Sequence, residues 1–353
     1  MSFYKLKISS IQRPIKNALT LSLTVPEHLK EKFKFNPGQH LIFKFKIEDN
    51  EIRRSYSLNS CPFTEVNLEV TVKRVKGGLI SNYINDHLNE GDEVEVMSPQ
   101  GRFHAIINEK AYKTYFLFAA GSGITPIISI LKSVLHGSPN SMINLLYGNT
   151  NQDSIIFKED LDQLKLKYGN RLQIIHTLSS PKYWTTSQSW KGRKGRIDNE
   201  CIEWFIEQNP PIAQNTEYYI CGPGAMNVAV KTALLGLGVP KHLIHIEQFG
   251  SVSSQGTKKI NGYGDALLIS QLKGHDYAFK VPEGKTLLDV LKSQNVNPPY
   301  SCESGVCGTC TAKLIKGKVE MKSCMALDEK DIDNGLILTC QSIPMSEKVE
   351  IEF

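Results

Sequence analysis

Thr114-Tyr-Phe-Leu-Phe-Ala-Ala-Gly-Ser-Gly-Ile-Thr-Pro126 decides the reading of this chain. Thr114 to Ala119 is a continuous apolar run of strand length, the pattern of a strand buried on both faces. A glycine turn follows, and Pro126, suited to a first helical turn, opens a helix that the apolar spacing carries to Leu135. The alternation repeats downstream. Strands are expected over Met142 to Tyr147, Leu172 to Thr177, Glu217 to Cys221 and Leu243 to Gln248, with helices over Phe157 to Lys167, Asn199 to Glu207 and Ala225 to Leu237. Strand and helix in turn predict a parallel α/β sheet over residues 108–250, covered on both faces.

Working outward, residues 1–107 change period. Thr20 to Val25, Leu41 to Ile47, Asn67 to Val72 and Glu93 to Val96 alternate, with turn signals such as Asn36-Pro37-Gly38 and Glu90-Gly91-Asp92 between them. Short strands at this spacing predict an antiparallel β-barrel or sandwich, interrupted by one helix from Leu79 to Leu88. Residues 251–262 are small and polar and predict a flexible linker. Residues 263–353 form a third, α+β unit: two strands, a helix over Leu287 to Ser293, a cysteine loop and two late strands. A multidomain chain is also what 353 residues imply.

Composition narrows the function. With 41% hydrophobic and 22% charged residues the chain reads as globular. No apolar run approaches membrane-spanning length and the N-terminus has no apolar export core, so a cytoplasmic protein without membrane association is expected. No basic cluster interleaved with aromatics points to nucleic acid. The net charge of +5 is uneven: residues 263–353 carry ten Lys/Arg and thirteen Asp/Glu, so the tail piece is acidic and the body basic.

Five of the eight cysteines fall between 302 and 340. Cys302-Glu-Ser-Gly-Val-Cys307-Gly-Thr-Cys310, with Cys340 downstream, is C-x4-C-x2-C…C, the spacing of plant-type [2Fe–2S] ligation. Gly305 and Gly308 let the backbone wrap close enough for its N–H groups to reach sulfur. A zinc knot, the alternative, usually shows two C-x2-C pairs. Cys324 lies outside the spacing. These residues resemble plant-type ferredoxin over the last quarter of the chain, which implies a β-grasp domain with Cys302, Cys307, Cys310 and Cys340 as metal ligands.

Arg53-Arg54-Ser55-Tyr56-Ser57 reads as a strand, with Arg54 and Tyr56 on one face and Ser55 and Ser57 on the other. Gly78-Leu79-Ile80-Ser81 sits at a helix start, where backbone donors and the helix dipole favour a phosphate. Together they resemble the ferredoxin–NADP reductase superfamily. The resemblance implies that Arg54, Ser55, Tyr56 and Ser57, with Gly78, Leu79, Ile80 and Ser81, hold FAD. Arg54 would pair with the pyrophosphate, Tyr56 pack on the flavin and Ser57 approach its N5.

Within the same resemblance, Gly121-Ser122-Gly123-Ile-Thr125-Pro126 matches the nucleotide turn, and Cys221-Gly222-Pro223 the motif whose cysteine lies beside the nicotinamide. Both follow strands, and ligands bind at the carboxyl ends of strands in open α/β sheets. Ile246-Glu247-Gln248-Phe249 is similar to the family's closing motif, implying Phe249 against the flavin ring. Ser57, Cys221 and Glu247 would then surround the reacting centre. NADPH and NADH both remain open: Tyr147-Gly-Asn-Thr150-Asn151 has neither the acidic residue of a 2′-OH site nor the arginine of a 2′-phosphate site, and Lys158, Arg171, Arg193 and Arg196 are the candidate substitutes. None of the nine histidines is assigned a role.

In this domain order the whole chain resembles the reductase family that serves the phenylacetyl-CoA epoxidase complex. The resemblance implies electron flow from NAD(P)H through FAD and a [2Fe–2S] cluster to an oxygenase component, a multi-subunit diiron enzyme being favoured. Reductases of other Rieske or diiron oxygenases, a standalone ferredoxin-type reductase, and an iron–sulfur protein without turnover are the alternatives.

Overall fold

Residues 2–48, 50–182, 190–212, 215–249, 260 and 262–353 are described by the computed structural model of the chain. The chain divides into two compact bodies. The larger comprises Phe3–Ile47 and Tyr56–Phe249; the smaller comprises Met1–Ser2, Glu48–Ser55 and Gly250–Phe353. The linker expected at 251–262 falls outside the described residues except for Ile260 and Gly262.

The larger body begins with an antiparallel sheet. Its strands are β1 (Tyr4–Ile15), β2 (Ala18–Thr24), β3 (His40–Ile47), β5 (Leu68–Lys73) and β6 (Glu93–Val96). They pair in the order β3-β6-β1-β2-β5. Strand β4 (Asn50–Ser57) contributes its last two residues here and its first six to the smaller body. Helix α1 (Leu79–His87) buries Ile80 and Ile84. The long strand β1 has no counterpart among the expected strands; its alternation holds from Tyr4 to Ile8 and fails at Ser9-Ser10, where its pairing with β2 shifts register.

The second sheet is parallel, as the apolar runs require. It orders β10 (Arg193–Lys194), β9 (Leu172–Leu178), β8 (Met142–Asn149), β7 (Thr114–Ala120), β11 (Thr216–Gly222) and β12 (Ile244–Gln248). Strand β7 sits in the middle, with six of its seven residues buried. Helix α2 (Ile124–Gly137) is buried almost throughout and packs with β7 in one core. Pro126 is tolerated because the first turn has no intrahelical acceptor for its missing N–H. Helices α3 (Lys158–Tyr168), α4 (Asn199–Gln208) and α5 (Gly224–Gly236) complete the layers, the last two enclosing a second core around Phe116, Phe118 and Phe205. The chain proceeds from β7 to one side through β10, then returns to the other side at β11. The sheet's switch point therefore lies between β7 and β11.

The smaller body holds a five-stranded mixed sheet: β13 (Ala266–Leu272), β14 (His275–Val281), β15 (Thr311–Lys316), β17 (Leu336–Leu338) and β19 (Lys348–Glu352), in the order β14-β13-β19-β15-β17. Helix α6 (Leu287–Ser293) shares its core through Leu287, Val290 and Leu291, and opens on a capping box between Thr286 and Asp289. Strands β16 (Val319–Met321) and β18 (Ser342–Pro344) pair separately, and a short α7 spans Glu329–Asp333. Five strands follow the cysteine loop where two were expected. Three of the five have only three residues each, too few to display a period. The parallel β13–β19 pairing beside the β13–β14 hairpin is the α+β arrangement expected of a β-grasp.

Candidate functional site

In the larger body the two glycine-containing turns meet at the switch point. Ala119 on β7 pairs with Cys221 on β11, and Cys221 with Glu247 on β12. A Cβ placed on Gly123 would stand 2.0 Å from the Cys221 carbonyl oxygen and 3.0 Å from the Gly222 nitrogen, so only glycine fits. Thr125 Oγ1 donates to the Ser122 carbonyl (3.0 Å), and the buried Tyr147 hydroxyl donates to the Gly121 carbonyl (3.0 Å). A cleft of about 960 Å³ opens there, lined by both turns together with Lys73, Thr150, Arg196 and Phe249.

At the same end of these strands the Ser57 hydroxyl donates to Glu247 Oε2 at 3.3 Å. His40 Nδ1 lies 3.7 Å from Glu247 Oε1, and the imidazole is only 3% exposed. Asn227 Nδ2 donates to the Glu247 carbonyl (3.1 Å). Cys221 is fully buried, and burial, reinforced by Glu247, pushes its thiol well above the usual range. It is therefore a neutral thiol, not a thiolate nucleophile. Ser57, Cys221 and Glu247, expected together from sequence, are brought together. His40, given no role by sequence reasoning, stands beside them.

Helix N-termini are treated in two ways. Helices α4, α6 and α7 are capped by the side chains of Asp198, Thr286 and Asp328. Helices α1, α2 and α5 open on Gly78, Gly123 and Pro223 with no side-chain cap, as does α3. The uncapped starts of α1, α2 and α5 belong to the three segments singled out for cofactor binding, and at α1 and α2 the first-turn N–H groups fit a phosphate. At α1, Ile80 is buried, Leu79 is exposed, and Ser81 Oγ accepts from the Val75 N–H (3.2 Å). Tyr56 packs edge-on against Phe43 at 5.6 Å between centroids. Arg54 and Ser55 belong to the smaller body, where Arg54 is exposed and its Nη1 donates to the Arg53 carbonyl (2.7 Å).

Of the four candidate cations for a 2′-phosphate, Arg196 alone lines the cleft. Arg171 donates to the carbonyls of Leu135, Ser138 and Ser141, Arg193 lies 4.7 Å over the Trp204 ring, and Lys158 pairs with Asp162. Lys73, which sequence reasoning missed, ends β5 with its ammonium 3.6 Å from where a Gly121 Cβ would be. Burial lowers its pKa, which sharpens its preference for an anion.

In the smaller body the four cysteines expected to bind metal form no disulfide and stand in two pairs. Cys302 is pulled down to about 5 by the hydrogen bond from Cys307, assisted by the N–H groups of Ser304 and Val306, while Cys307 is pushed up. Cys340 is lowered in the same way by Cys310, which is raised. Among the described residues no three His, Cys, Asp or Glu side chains are grouped to hold a single metal ion. Two thiol pairs fit a diiron core, which takes two protein ligands at each iron, better than a mononuclear zinc site. Gly305, at φ +78°, lies where a Cβ would meet Gln341 and Ser323 at 3.0 Å. Cys310 and Cys340 belong to a small core with Leu288, Tyr300, Leu327 and Leu338, whereas Cys302 and Cys307 are half-buried.

Comparison with known proteins matches three successive segments of the chain. An oxidoreductase FAD-binding domain matches residues 5–105, an oxidoreductase NAD-binding domain 117–232, and a 2Fe-2S iron–sulfur cluster binding domain 270–345. A component of 1,2-phenylacetyl-CoA epoxidase from Escherichia coli is 32% identical, across 100% of this chain and 98% of that protein. The chain belongs to this reductase family. The ferredoxin reductase component of 3-ketosteroid-9-alpha-monooxygenase from Rhodococcus rhodochrous is 34% identical over 99% of this chain and 96% of its own. Phthalate dioxygenase reductase, a solved structure, shares the fold with a TM-score of 0.61 at 24% identity, covering 100% of this chain and 98% of its own. The reductase is thus an oxidoreductase carrying FAD-, NAD- and [2Fe–2S]-binding domains. No helix among its described residues is long and apolar enough to cross a membrane.

Proposed function

We propose that this reductase draws electrons from a reduced pyridine nucleotide and passes them through FAD and a [2Fe–2S] cluster to the oxygenase component of a multicomponent system. The oxygenase is proposed to be a multi-subunit diiron enzyme of the phenylacetyl-CoA epoxidase kind, acting in the cytoplasm. The observation that carries the reading is the presence, on one chain, of a cleft lined by both glycine-containing turns, of the Cys221–Glu247–Ser57 cluster at the ends of the same strands, and of four thiols in two pairs.

Arg54, Ser55, Tyr56 and Ser57 with Gly78 to Ser81 would hold FAD. Gly121, Ser122, Gly123, Thr125, Pro126, Cys221, Gly222, Pro223 and Phe249 would hold the nucleotide, and Cys302, Cys307, Cys310 and Cys340 the cluster. The bound groups supply the redox chemistry, hydride acceptance by the flavin and single-electron carriage by the cluster. The chain's own work is orientation. The neutral Cys221 thiol offers a small uncharged contact, and Glu247, bonded to Ser57 and close to His40, fixes the hydroxyl and keeps an acceptor oxygen at the strand ends. Arg196, which lines the cleft with Thr150, favours NADPH over NADH, since a 2′-phosphate adds negative charge there, whereas Lys73 stands beside Gly121 in the turn that both coenzymes share.

An anaerobic visible-absorption titration with NADPH and then NADH tests the reading. Bleaching of both flavin and iron–sulfur bands, more readily with NADPH, is the expected result. Bleaching of the flavin alone would remove the cluster from the electron path. Absence of both chromophores after reconstitution would end the proposal. The choice of oxygenase is tested by epoxidation of phenylacetyl-CoA with the purified diiron component; full activity with a soluble acceptor and no oxygenase binding would favour a standalone reductase.

A further inference from the structure

Two arginines stand side by side on β4, and alternation sends them to opposite faces. Arg54, the residue that the proposed function gives to FAD, is exposed; Arg53 is buried at 4% exposure. Arg53 lies in the segment Glu48–Ser55, which packs into the same compact body as the cysteine module.

Its guanidinium is held on three sides. Nε and Nη2 bond Glu51 Oε1 at 2.8 and 2.7 Å, and Nη2 also donates to Asn297 Oδ1 at 2.8 Å. The group lies 4.0 Å from the centroid of the Tyr300 ring, which also carries Lys292 Nζ at 4.4 Å. Two residues along the same face, Ser55 Oγ shares a hydrogen bond of 2.7 Å with Ser301 Oγ. Ser301 is 1% exposed and Tyr300 6%. Asn297, Tyr300 and Ser301 immediately precede Cys302, and Lys292 returns from α6 to bond both oxygens of Glu303, one residue beyond it. The face of β4 that turns away from Arg54 thus grips the chain at the entrance to the thiol loop.

We infer that Arg53 and Ser55 form a latch that fixes the cysteine loop to β4, making Arg53 a positioning residue for electron transfer between flavin and cluster. The inference rests on the electron-transfer reading above. The chemistry suits a latch: a planar guanidinium both stacks on an aromatic ring and forks to two oxygens, which an ammonium cannot do. A buried charge so engaged is costly to orphan, so the contact is specific to one register of loop against strand.

The test uses the full-length holoprotein and four variants: Arg53→Ala, Arg53→Lys, Ser301→Ala and Tyr300→Leu. Hydrogen–deuterium exchange over residues 297–303 is read in the presence and absence of cofactors, and anaerobic stopped-flow separates flavin bleaching from cluster bleaching. Arg53→Ala should raise exchange about tenfold over 297–303 and slow cluster bleaching by about tenfold, while flavin bleaching by NADPH keeps its rate. Arg53→Lys should recover only part of the loss, and Ser301→Ala should show the same pattern at roughly threefold. If exchange over 297–303 is unchanged in Arg53→Ala, or in Tyr300→Leu and Ser301→Ala should Arg53→Ala fail to fold, there is no latch. If flavin bleaching slows as much as cluster bleaching, Arg53 serves the flavin and the inference fails. A wild-type protein that binds neither chromophore would overturn the proposed function, whereas the exchange measurement would still decide the latch.

Discussion

The thiol loop and the nucleotide cleft solve the problem of holding a cofactor in opposite ways. The loop uses side-chain identity: four sulfurs, of which three lie within nine consecutive residues, converge in two pairs. The cleft uses backbone. Its decisive contact is the absence of a side chain at Gly123, and the residues meeting there come from positions about a hundred apart in the chain. Side-chain identity fails all at once when a ligand is changed, whereas a backbone site fails in proportion to how far the chain must move.

The largest effect is therefore expected at a cysteine. Cys310→Ser should abolish the [2Fe–2S] absorption bands and paramagnetic signal of the reduced protein, while leaving nucleotide-dependent reduction of ferricyanide, which can be served by the flavin, near wild type. A variant that kept both cluster signals would break the distinction between the two sites. Gly123→Ala follows. Its new methyl would overlap the Cys221 carbonyl at 2.0 Å, so β7 and β11 must separate at the switch point. We expect kcat/KM for the nucleotide to fall by on the order of a hundredfold, as misplacement of about an ångström commonly does, with cluster absorption intact. Loss of the cluster bands in Gly123→Ala would show that the sites are not separable.

How much of this was legible from sequence follows the same divide. The thiol loop stood out from spacing, because three of its four cysteines lie within nine residues and are chemically distinctive. The α/β half could be read from Thr114–Ala120, whose burial on both faces leaves no alternation to misinterpret. His40 could not. It sits in an ordinary strand, and only folding brings it 3.7 Å from Glu247, some two hundred residues away. Lys73 looks like the exposed end of a strand next to Arg74, yet it turns toward Gly121. Of four basic candidates for the coenzyme, three are engaged with carbonyls, a ring or a neighbouring carboxylate, and no pattern in sequence separates them from Arg196. The short strands β16, β17 and β18 escaped because three residues define no period.

The bodies should also differ in acid. His176 on β9 packs against Tyr147 at 5.7 Å, has a buried Nδ1 without a hydrogen-bond partner among the described residues, and is pulled down to about 4 by burial. The folded state thus takes up its proton at lower pH than the unfolded state does near 6.5. Between those values the unfolded chain binds more protons, so stability is present above pH 6.5 and is lost as pH falls toward 4. The loss should reach about 2–3 kcal/mol, read as a falling unfolding midpoint of the larger body, and His176→Phe should flatten it. An unaltered pH profile in that variant would assign the acid sensitivity elsewhere.

The smallest effect sharpens the cleft itself. Arg196 follows Gly195 in a loop, is exposed, and lines the nucleotide cleft with Thr150 and Ser179. Asp198 and Glu200 line it too, and the Asp198 carboxylate caps α4 through the Cys201 N–H at 2.9 Å. A solvated arginine–phosphate contact contributes little more than one charge-assisted hydrogen bond, so Arg196→Ala should raise KM for NADPH by about tenfold and leave KM for NADH within about twofold. The rise should shrink as salt is added, because the contact is open to counterions. Equal rises for both coenzymes would instead place Arg196 on the shared diphosphate and remove the preference for a 2′-phosphate.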